Sequence, residues 1–374
     1  MRLRVALLFN LRSNAPQAPG APADVWADLD SEHTVEALAE ALLQGGHEVI
    51  PLEGDIELYG KLRELRPDIA FNICEGHQGD SREAQVPAIL EMLGIPYTGS
   101  KILTLALTLD KPMCKRVLLA EGLPTPPFQV FACPDELLDP HLRFPLIVKP
   151  SSEGTGMGIT CDSIVQDEYS LREQVARIVA AYRQPALVEE FVDGREVTVG
   201  ILGNEELHVL PILEVDFSPC PAEEAGIYTS RVKTELYNVP RYLCPAPLEE
   251  AIAEELRHLA VRAFRATGCL DVARVDFRLD RESSPWILEI NPLPGLSPGI
   301  SDLVMIAEAD GISHTELVNA ILDHAWRRYD HGWDKGEGRP RLPAVEREPS
   351  GFGENRVESI AAIQCSRQRD QGRG

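Results

Sequence analysis

Ala273-Arg274-Val275-Asp276-Phe277 is followed, after a short polar interval, by Leu288-Glu289-Ile290-Asn291-Pro292-Leu293-Pro294-Gly295. Both segments alternate polar and apolar residues. Period two predicts strands with Arg274 and Asp276 on one face and Glu289 and Asn291 on one face. A reversal at Glu282-Ser283 makes them an antiparallel pair, with Asp276 opposite Glu289 and Arg274 opposite Asn291. Two carboxylates and an amide oxygen then share one cluster, an oxygen set suited to Mg²⁺ or Mn²⁺ holding nucleotide phosphates. An amphipathic hairpin with its charged face in water is the plainer reading. Against it, directly opposed carboxylates repel unless a cation lies between them. Pro292-Leu293-Pro294-Gly295 also stops the second strand abruptly and turns backbone N–H groups toward any anion bound there.

The earlier chain reads as an α/β protein. Arg4–Phe9 is a buried strand. Asp30 or Ser31 caps a helix to about Leu43, Gly45-Gly46 ends it, and strands follow at His47–Leu52 and Asp68–Ile73. Strand–helix–strand order predicts a parallel sheet, whose ligands sit at the carboxyl ends of strands. Asn72–Asp80, polar and punctuated by glycine, lies at such an end. A helix is expected at Glu83–Leu93. Another is capped by Asp110 with Pro112 in its first turn, which puts Lys111 at a positive helix end. A cation is disfavoured there by tenths of a kcal/mol, roughly, unless an anion is bound nearby.

Phe144–Pro150 is a strand whose Lys149 precedes Ser151-Ser152-Glu153-Gly154-Thr155-Gly156-Met157-Gly158-Ile159. Glycines at alternate positions let a backbone pass close to phosphates, and a lysine just before them strengthens the nucleotide reading, although no Walker A pattern is present. Ala186–Val192 is a strand running into Glu189-Glu190, with Glu196 beyond. Such acids suit an adenine amino group and ribose hydroxyls, or equally a solvated turn. Strands at Glu196–Ile201 and Val209–Val215 precede Asp216–Cys244, which reads as a long irregular segment holding Tyr228, Arg231 and Lys233. Leu248–Thr267 is an amphipathic helix ended by Gly268, and Ser313–Glu316 is a capping box for a last helix to about Arg328. Residues 330–374 lack a sustained apolar period and read as a disordered tail, with at best a short helix at Ser359–Ile363.

Composition narrows the partners. The chain of 374 residues has 36 basic and 59 acidic side chains and a net charge of −23, which opposes nucleic acid and anionic membrane. No run approaches the ~20 apolar residues of a membrane span. The basic, then apolar start at Met1–Phe9 is too short and too soon broken by Asn10 and Arg12 for a signal peptide. Eight cysteines without a C-x-x-C pair read as free thiols in a reducing cytoplasm.

Taken together, Lys111, Lys149 with its glycine-rich loop, Glu189 through Glu196, Arg274-x-Asp276 and Glu289-x-Asn291-x-x-Pro294-Gly295 resemble an ATP-grasp enzyme of the D-alanine–D-alanine ligase family. Gly94-Ile95-Pro96-Tyr97-Thr98-Gly99-Ser100 ahead of Asp110-Lys111 strengthens the likeness, which spans about residues 1–325. The resemblance implies a three-domain ATP-grasp architecture: an N-terminal parallel α/β substrate domain over 1–110, a central subdomain over 111–193 and a C-terminal subdomain with the metal site over 194–329.

It further implies that Lys111 and Lys149 meet ATP phosphates under the loop containing Ser151, Ser152, Gly154 and Gly156. Glu189 would take the adenine amino group, the backbone at Phe191 and Val192 the ring edge, and Glu196 the ribose. Asp276, Glu289 and Asn291 would hold two Mg²⁺ ions, with Mn²⁺ an acceptable substitute. Arg274 and the Gly295 N–H would face the acyl centre, and Lys233 would be the basic residue of a mobile loop over the γ-phosphate. The implied activity joins two amino acids through an acyl phosphate, as in peptidoglycan biosynthesis.

The departures fall on the amino-acid side. Glu75-Gly76 stands where the family usually has His-Gly. The family's Glu-x-x-Val-Ser has no clean match, Glu32 being the nearest acid. The serine expected after Gly295 is displaced, with Ser301 the candidate. A ligase for other amino acids or a natural-product acid therefore stays open, as does a non-catalytic nucleotide-binding regulator. A Rossmann hydride-transfer enzyme ranks last, because the first strand lacks G-x-G-x-x-G. A homodimer is one assembly state the sequence leaves open.

Overall fold

The computed structural model describes residues 1–16, 19–221, 224 and 226–330. The expected disordered tail and its short helix at Ser359–Ile363 lie outside these from residue 331 on.

The first sheet is parallel, in the order β2-β1-β3, from β1 (Arg4–Phe9), β2 (Glu48–Glu53) and β3 (Ile69–Asn72). Its middle strand is apolar and buried from Val5 to Phe9 because both faces are covered. Between β1 and β2 runs α1 (Glu32–Gln44), whose N-cap Ser31 accepts the Thr34 N–H at 3.2 Å. The sequence reading missed α2 (Leu58–Leu65) and α4 (Ile102–Leu109), placed respectively before β3 and after α3 (Gln85–Leu93). In α4 the run Ile-Leu-Thr-Leu-Ala-Leu-Thr-Leu is apolar almost all round, so no helical contrast marks it. Asp110 caps α5 (Lys111–Ala120) as expected, accepting the Met113 N–H at 3.0 Å.

The second sheet is antiparallel, in the order β4-β7-β5-β6: β4 (Phe128–Phe131), β5 (Leu146–Pro150), β6 (Ile164–Val165) and β7 (Ala186–Glu190). The unforeseen α6 (Glu168–Tyr182) closes its core through Leu171, Val175 and Ile178.

The third sheet has the order β10-β9-β8-β11-β12, with β8 (Arg195–Gly203), β9 (Leu207–Asp216), β10 (Arg241–Leu243), β11 (Asp271–Leu279) and β12 (Pro285–Asn291). Period two splits its side chains between two cores. Val199, Ile201, Ala273 and Val275 pack with α5 and α8 (Glu250–Thr267). Leu202, Leu210 and Val272 pack with α1, α9 (Asp302–Ala309) and α10 (His314–Asp330). Core packing thus joins α5 to the third sheet. The segment Asp216–Cys244, read as irregular, instead contains the short helix α7 (Ser230–Thr234) and β10, which pairs with β9.

β11 and β12 form the antiparallel pair read from the sequence, with Asp276 opposite Glu289 and Arg274 opposite Asn291. A bulge follows: Phe277 faces Ile287, so Leu288 is the extra residue on β12. At the reversal, Ser283 takes φ 66. The Asp280 carboxylate accepts N–H groups from Glu282 at 3.0 Å, Ser284 at 2.8 Å and the Trp286 indole at 3.1 Å. No helix among the described residues is long and apolar enough to cross a membrane, and the seven described cysteines are free.

Candidate active site

Two adjoining hollows meet at Glu289. A narrow cleft of about 80 Å³ is lined by Lys149, Gly156, Glu189, Phe191, Val192, Glu196, Asp276 and Arg278. A cavity of about 200 Å³ is lined by Asp30, Glu75, Glu83, Gly154, Arg274, Asn291, Gly295 and Ser301. Lys111, Glu153, Tyr228, Lys233 and Glu289 border both.

Glu289 is set there by β12, and cations from separate segments converge on it. Lys111 Nζ, held in the first turn of α5, stands 3.3 Å from Glu289 Oε2 and also donates to the Glu153 carbonyl. Burial pushes the Glu289 carboxyl up, but Lys111, Lys233, Lys149 and Arg274 outweigh it and hold the group well below the usual carboxylate range. Lys111 is therefore balanced by a carboxylate at its helix N-terminus, where a lone cation would be disfavoured.

Beside it, Arg274 grips Asp276 with a two-pronged contact, Nε to Oδ1 at 2.8 Å and Nη2 to Oδ2 at 2.9 Å. Asn291 Nδ2 donates to Asp276 Oδ2 at 2.9 Å, and Thr198 donates to Oδ1. Asn291 thus spends its amide N–H on Asp276 and keeps its carbonyl oxygen for a ligand. Asp276, Glu289 and Asn291 together present hard oxygen donors, which fits Mg²⁺. Arg274 Nη1 lies 3.5 Å from Asp302 Oδ2, and the Tyr228 hydroxyl lies 3.5 Å from Asp302 Oδ1. Sequence reasoning passed over Asp302, which only the start of α9 brings here.

At the inner end of the cleft Glu189, 1% exposed, lies between Lys115 and Lys149, each Nζ 2.7 Å from one carboxylate oxygen. Burial would raise this carboxyl, but the two lysines keep it below its ordinary value. Lys115 was overlooked, yet its signal was present: four residues after Lys111, it shares that helix face. Its ammonium also donates to Thr125 Oγ1, whose hydroxyl donates to the Ile287 carbonyl at 2.8 Å, tying β7 to β12. Glu196 pairs with Arg278 at 3.1 Å, and Arg278 lies 4.9 Å from the centre of the Phe191 ring. The Phe191 N–H is spent on the Pro145 carbonyl at 2.9 Å.

The candidate covering segments touch. The Ser230 N–H donates to the Ile159 carbonyl at 3.2 Å, and Gly156, at φ +69, packs so close that an added Cβ would lie 3.0 Å from the Tyr228 carbonyl oxygen. Lys233 Nζ sits 4.4 Å above the Tyr228 ring.

Some expected site residues stand elsewhere. Ser151 and Ser152 border a different hollow, not the cleft. Their backbones are tied down, the Ser151 carbonyl accepting the Lys111 N–H at 3.0 Å and the Ser152 carbonyl accepting from Arg82 at 2.9 Å. Glu32 is exposed on the first turn of α1 and accepts from Ser13 at 2.7 Å. The acids that face the cavity on the N-terminal side are Asp28, Asp30, Glu75 and Glu83; Ser31 begins the helix and leaves Asp30 on the inner side of the turn. Ser301 does line the cavity, as expected. It accepts the Ser297 N–H at 2.9 Å, and its Oγ would be 2.8 Å from any Cβ at position 295. Close approach, rather than a positive φ, calls for glycine at 295.

A family model described as the D-ala D-ala ligase C-terminus matches residues 117–323. The chain is 42% identical to an uncharacterized protein of Sinorhizobium fredii, covering 79% of this chain and 88% of that protein. It is 37% identical to a D-alanine–D-alanine ligase of Bordetella petrii over 76% of this chain and 84% of that one. Among solved structures it resembles a Bacillus anthracis D-alanine–D-alanine ligase complexed with ATP, with TM-score 0.68 and 24% identity over 88% of this chain and 100% of that chain.

Proposed function

Because the chain belongs to the D-alanine–D-alanine ligase family and is an ATP-dependent ligase, we propose that the two hollows are its nucleotide and amino-acid sites and that it forms a peptide bond in the cytoplasm through an acyl phosphate. The single observation that carries this reading is the convergence of Lys111, Lys149, Lys233 and Arg274 on Glu289 where cleft and cavity meet. So many cations at one half-buried carboxylate suit a place where phosphate charge is transferred.

In this reading Glu189, the backbone at Val192 and Glu196 hold the nucleoside. Lys111, Lys149 and Lys233 neutralise phosphate oxygens. Asp276, Glu289 and Asn291 would hold two Mg²⁺ ions, which supply further neutralisation of phosphate charge. A substrate carboxylate oxygen attacks the γ-phosphorus and ADP departs. The amine of a second amino acid then attacks the acyl carbon, a proton leaves its nitrogen, and phosphate departs. Arg274 and the Gly295 N–H face the oxyanion of that step. Gly156 and the Ser230–Thr234 helix exclude water that would hydrolyse the acyl phosphate. In this reading the three sheets belong to three domains, with α5 packed on the third sheet, and the assembly is a homodimer.

Phosphate release from ATP and Mg²⁺ with D-alanine, and with a panel of D- and L-amino acids, tests the proposal when product mass is read in parallel. A dipeptide formed with stoichiometric phosphate supports it, and no release with any amino acid counts against it.

A further inference from the structure

Resting on the ligase reading, we propose that one amino-acid substrate carries a second cationic nitrogen besides its α-ammonium, and that Glu75 and Glu83 receive it. Seven carboxylates border the cavity: Glu289 and Asp302 are paired with Lys111 and Arg274, and the other five are those of Asp28, Asp30, Glu75, Glu83 and Glu153. Arg82 neutralises only Asp28, at 3.0 Å, and Glu153, at 2.9 Å. Among the described residues no hydrogen bond or ion pair reaches the carboxylates of Asp30, Glu75 or Glu83, and Glu83 is only 9% exposed.

Unpaired acids packed at one wall are costly unless a cation joins them or a proton neutralises one. Without substrate the proton does so. Burial first, then Glu83, Asp28 and Asp30, push the Glu75 carboxyl far up, while Glu83 and Asp30 rise to about 7.

The occupant's chemistry follows by sign and number. An α-ammonium satisfies one carboxylate, leaving a pair. An acidic side chain would be repelled, and an apolar one would leave the acids unpaired. A metal ion does not fit either, since among the described residues no three Asp, Glu, His or Cys groups are placed to share one. An amine or guanidinium on the substrate side chain remains: it supplies several N–H donors to Glu75 and Glu83 and allows both to ionise. The substrate class is a diamino or guanidino acid.

The test compares substrates differing only in that nitrogen. Phosphate release from ATP by the full chain is measured with lysine against norleucine, 2,3-diaminopropionate against alanine, and arginine against its neutral isostere citrulline, in both configurations, with product masses. At least one charged acid is expected to exceed its uncharged counterpart about tenfold or more in kcat/KM, because binding the uncharged one leaves the cavity acids unpaired. Glu83→Gln and Glu75→Gln are each expected to cut that ratio by about tenfold, and the second variant serves if the first does not fold. Ratios near or below one, with uncharged acids still ligated, overturn the inference and leave the ligase reading standing. A high ratio unmoved by either variant overturns the assignment to these residues. No release with any acid overturns both.

Discussion

Lys111 Nζ lies 3.3 Å from Glu289 Oε2, joining the first turn of α5 to β12 at the point where the cleft opens into the cavity. Neither residue is comfortable alone: one is a cation at a helix N-terminus, the other a carboxylate opposite Asp276. Each offsets the other, and in the proposed mechanism a phosphate and its metal would take both.

Replacing that carboxylate should silence the enzyme without unfolding it. Glu289→Gln is nearly isosteric and is expected to lower phosphate release by about 100-fold or more, the scale of losing a charge-stabilising group at a transferring phosphoryl. Circular dichroism should stay that of the parent. Turnover within about threefold of the parent would remove Glu289 from the phosphate site.

The contact between the glycine loop and α7 predicts a nucleotide defect. At Gly156, a β-branched side chain meets both a positive φ and the Tyr228 carbonyl oxygen. Gly156→Val should therefore raise the KM for ATP by about tenfold or more, which corresponds to roughly 1.4 kcal/mol of lost closure. Steady-state kinetics with varied ATP check this, and an unchanged KM would mean that the two segments do not close together.

Stability away from the site rests on a buried ion pair. Arg328, on α10, donates to Asp271 at 2.9 Å and to the carbonyls of Tyr97 and Gly99, while Asp271 also accepts the Gly99 N–H. Arg328→Met leaves a buried carboxylate without its cation and should cost about 3–5 kcal/mol in urea unfolding. A loss under about 1 kcal/mol would show that Asp271 is satisfied by Asn204 and Gly99 alone.

Asp30 sets the sign of a pH dependence. Its carboxyl is pushed up to about 7 by burial, against an ordinary value of 3.8. Between these values the unfolded chain has released the proton while the folded chain keeps it, so folding stability falls as pH rises through that window and levels off above it. The slope per group can reach about 1.4 kcal/mol per pH unit. Asp30→Asn should flatten this limb in denaturant titrations from pH 4.5 to 8, and an unchanged slope would refute it. Glu289 acts oppositely: its depressed carboxyl contributes stability above the ordinary value of 4.5 that is lost as pH falls below it.

Much of the architecture was readable from local order alone. Period-two alternation placed Arg274, Asp276, Glu289 and Asn291 on strands, and antiparallel pairing gave the register that the fold has from Arg274 to Asp276, though not the bulge that shifts it from Phe277 on. Asp110 and Pro112 marked the start of α5, and Ser31 that of α1, because capping is a short-range event between neighbouring residues. Helices without apolar contrast, such as α4, carried no such signal.

The charge balance of the cavity wall was beyond that reach, although Glu75 and Ser301, both named from sequence, do line it. Glu32 was named as the nearest acid, but sequence distance cannot say on which side of a cap a carboxylate points, and Glu75 and Glu83 meet Asp28 only where β3, α3 and the chain before α1 pack together. Lys115, Lys149 and Glu189 likewise come from separate segments whose joining is a matter of packing. Backbone periodicity and capping are local and can be read along a chain. Charge balance in a buried site depends on which distant groups share one low-dielectric space, and that is settled only when the elements pack.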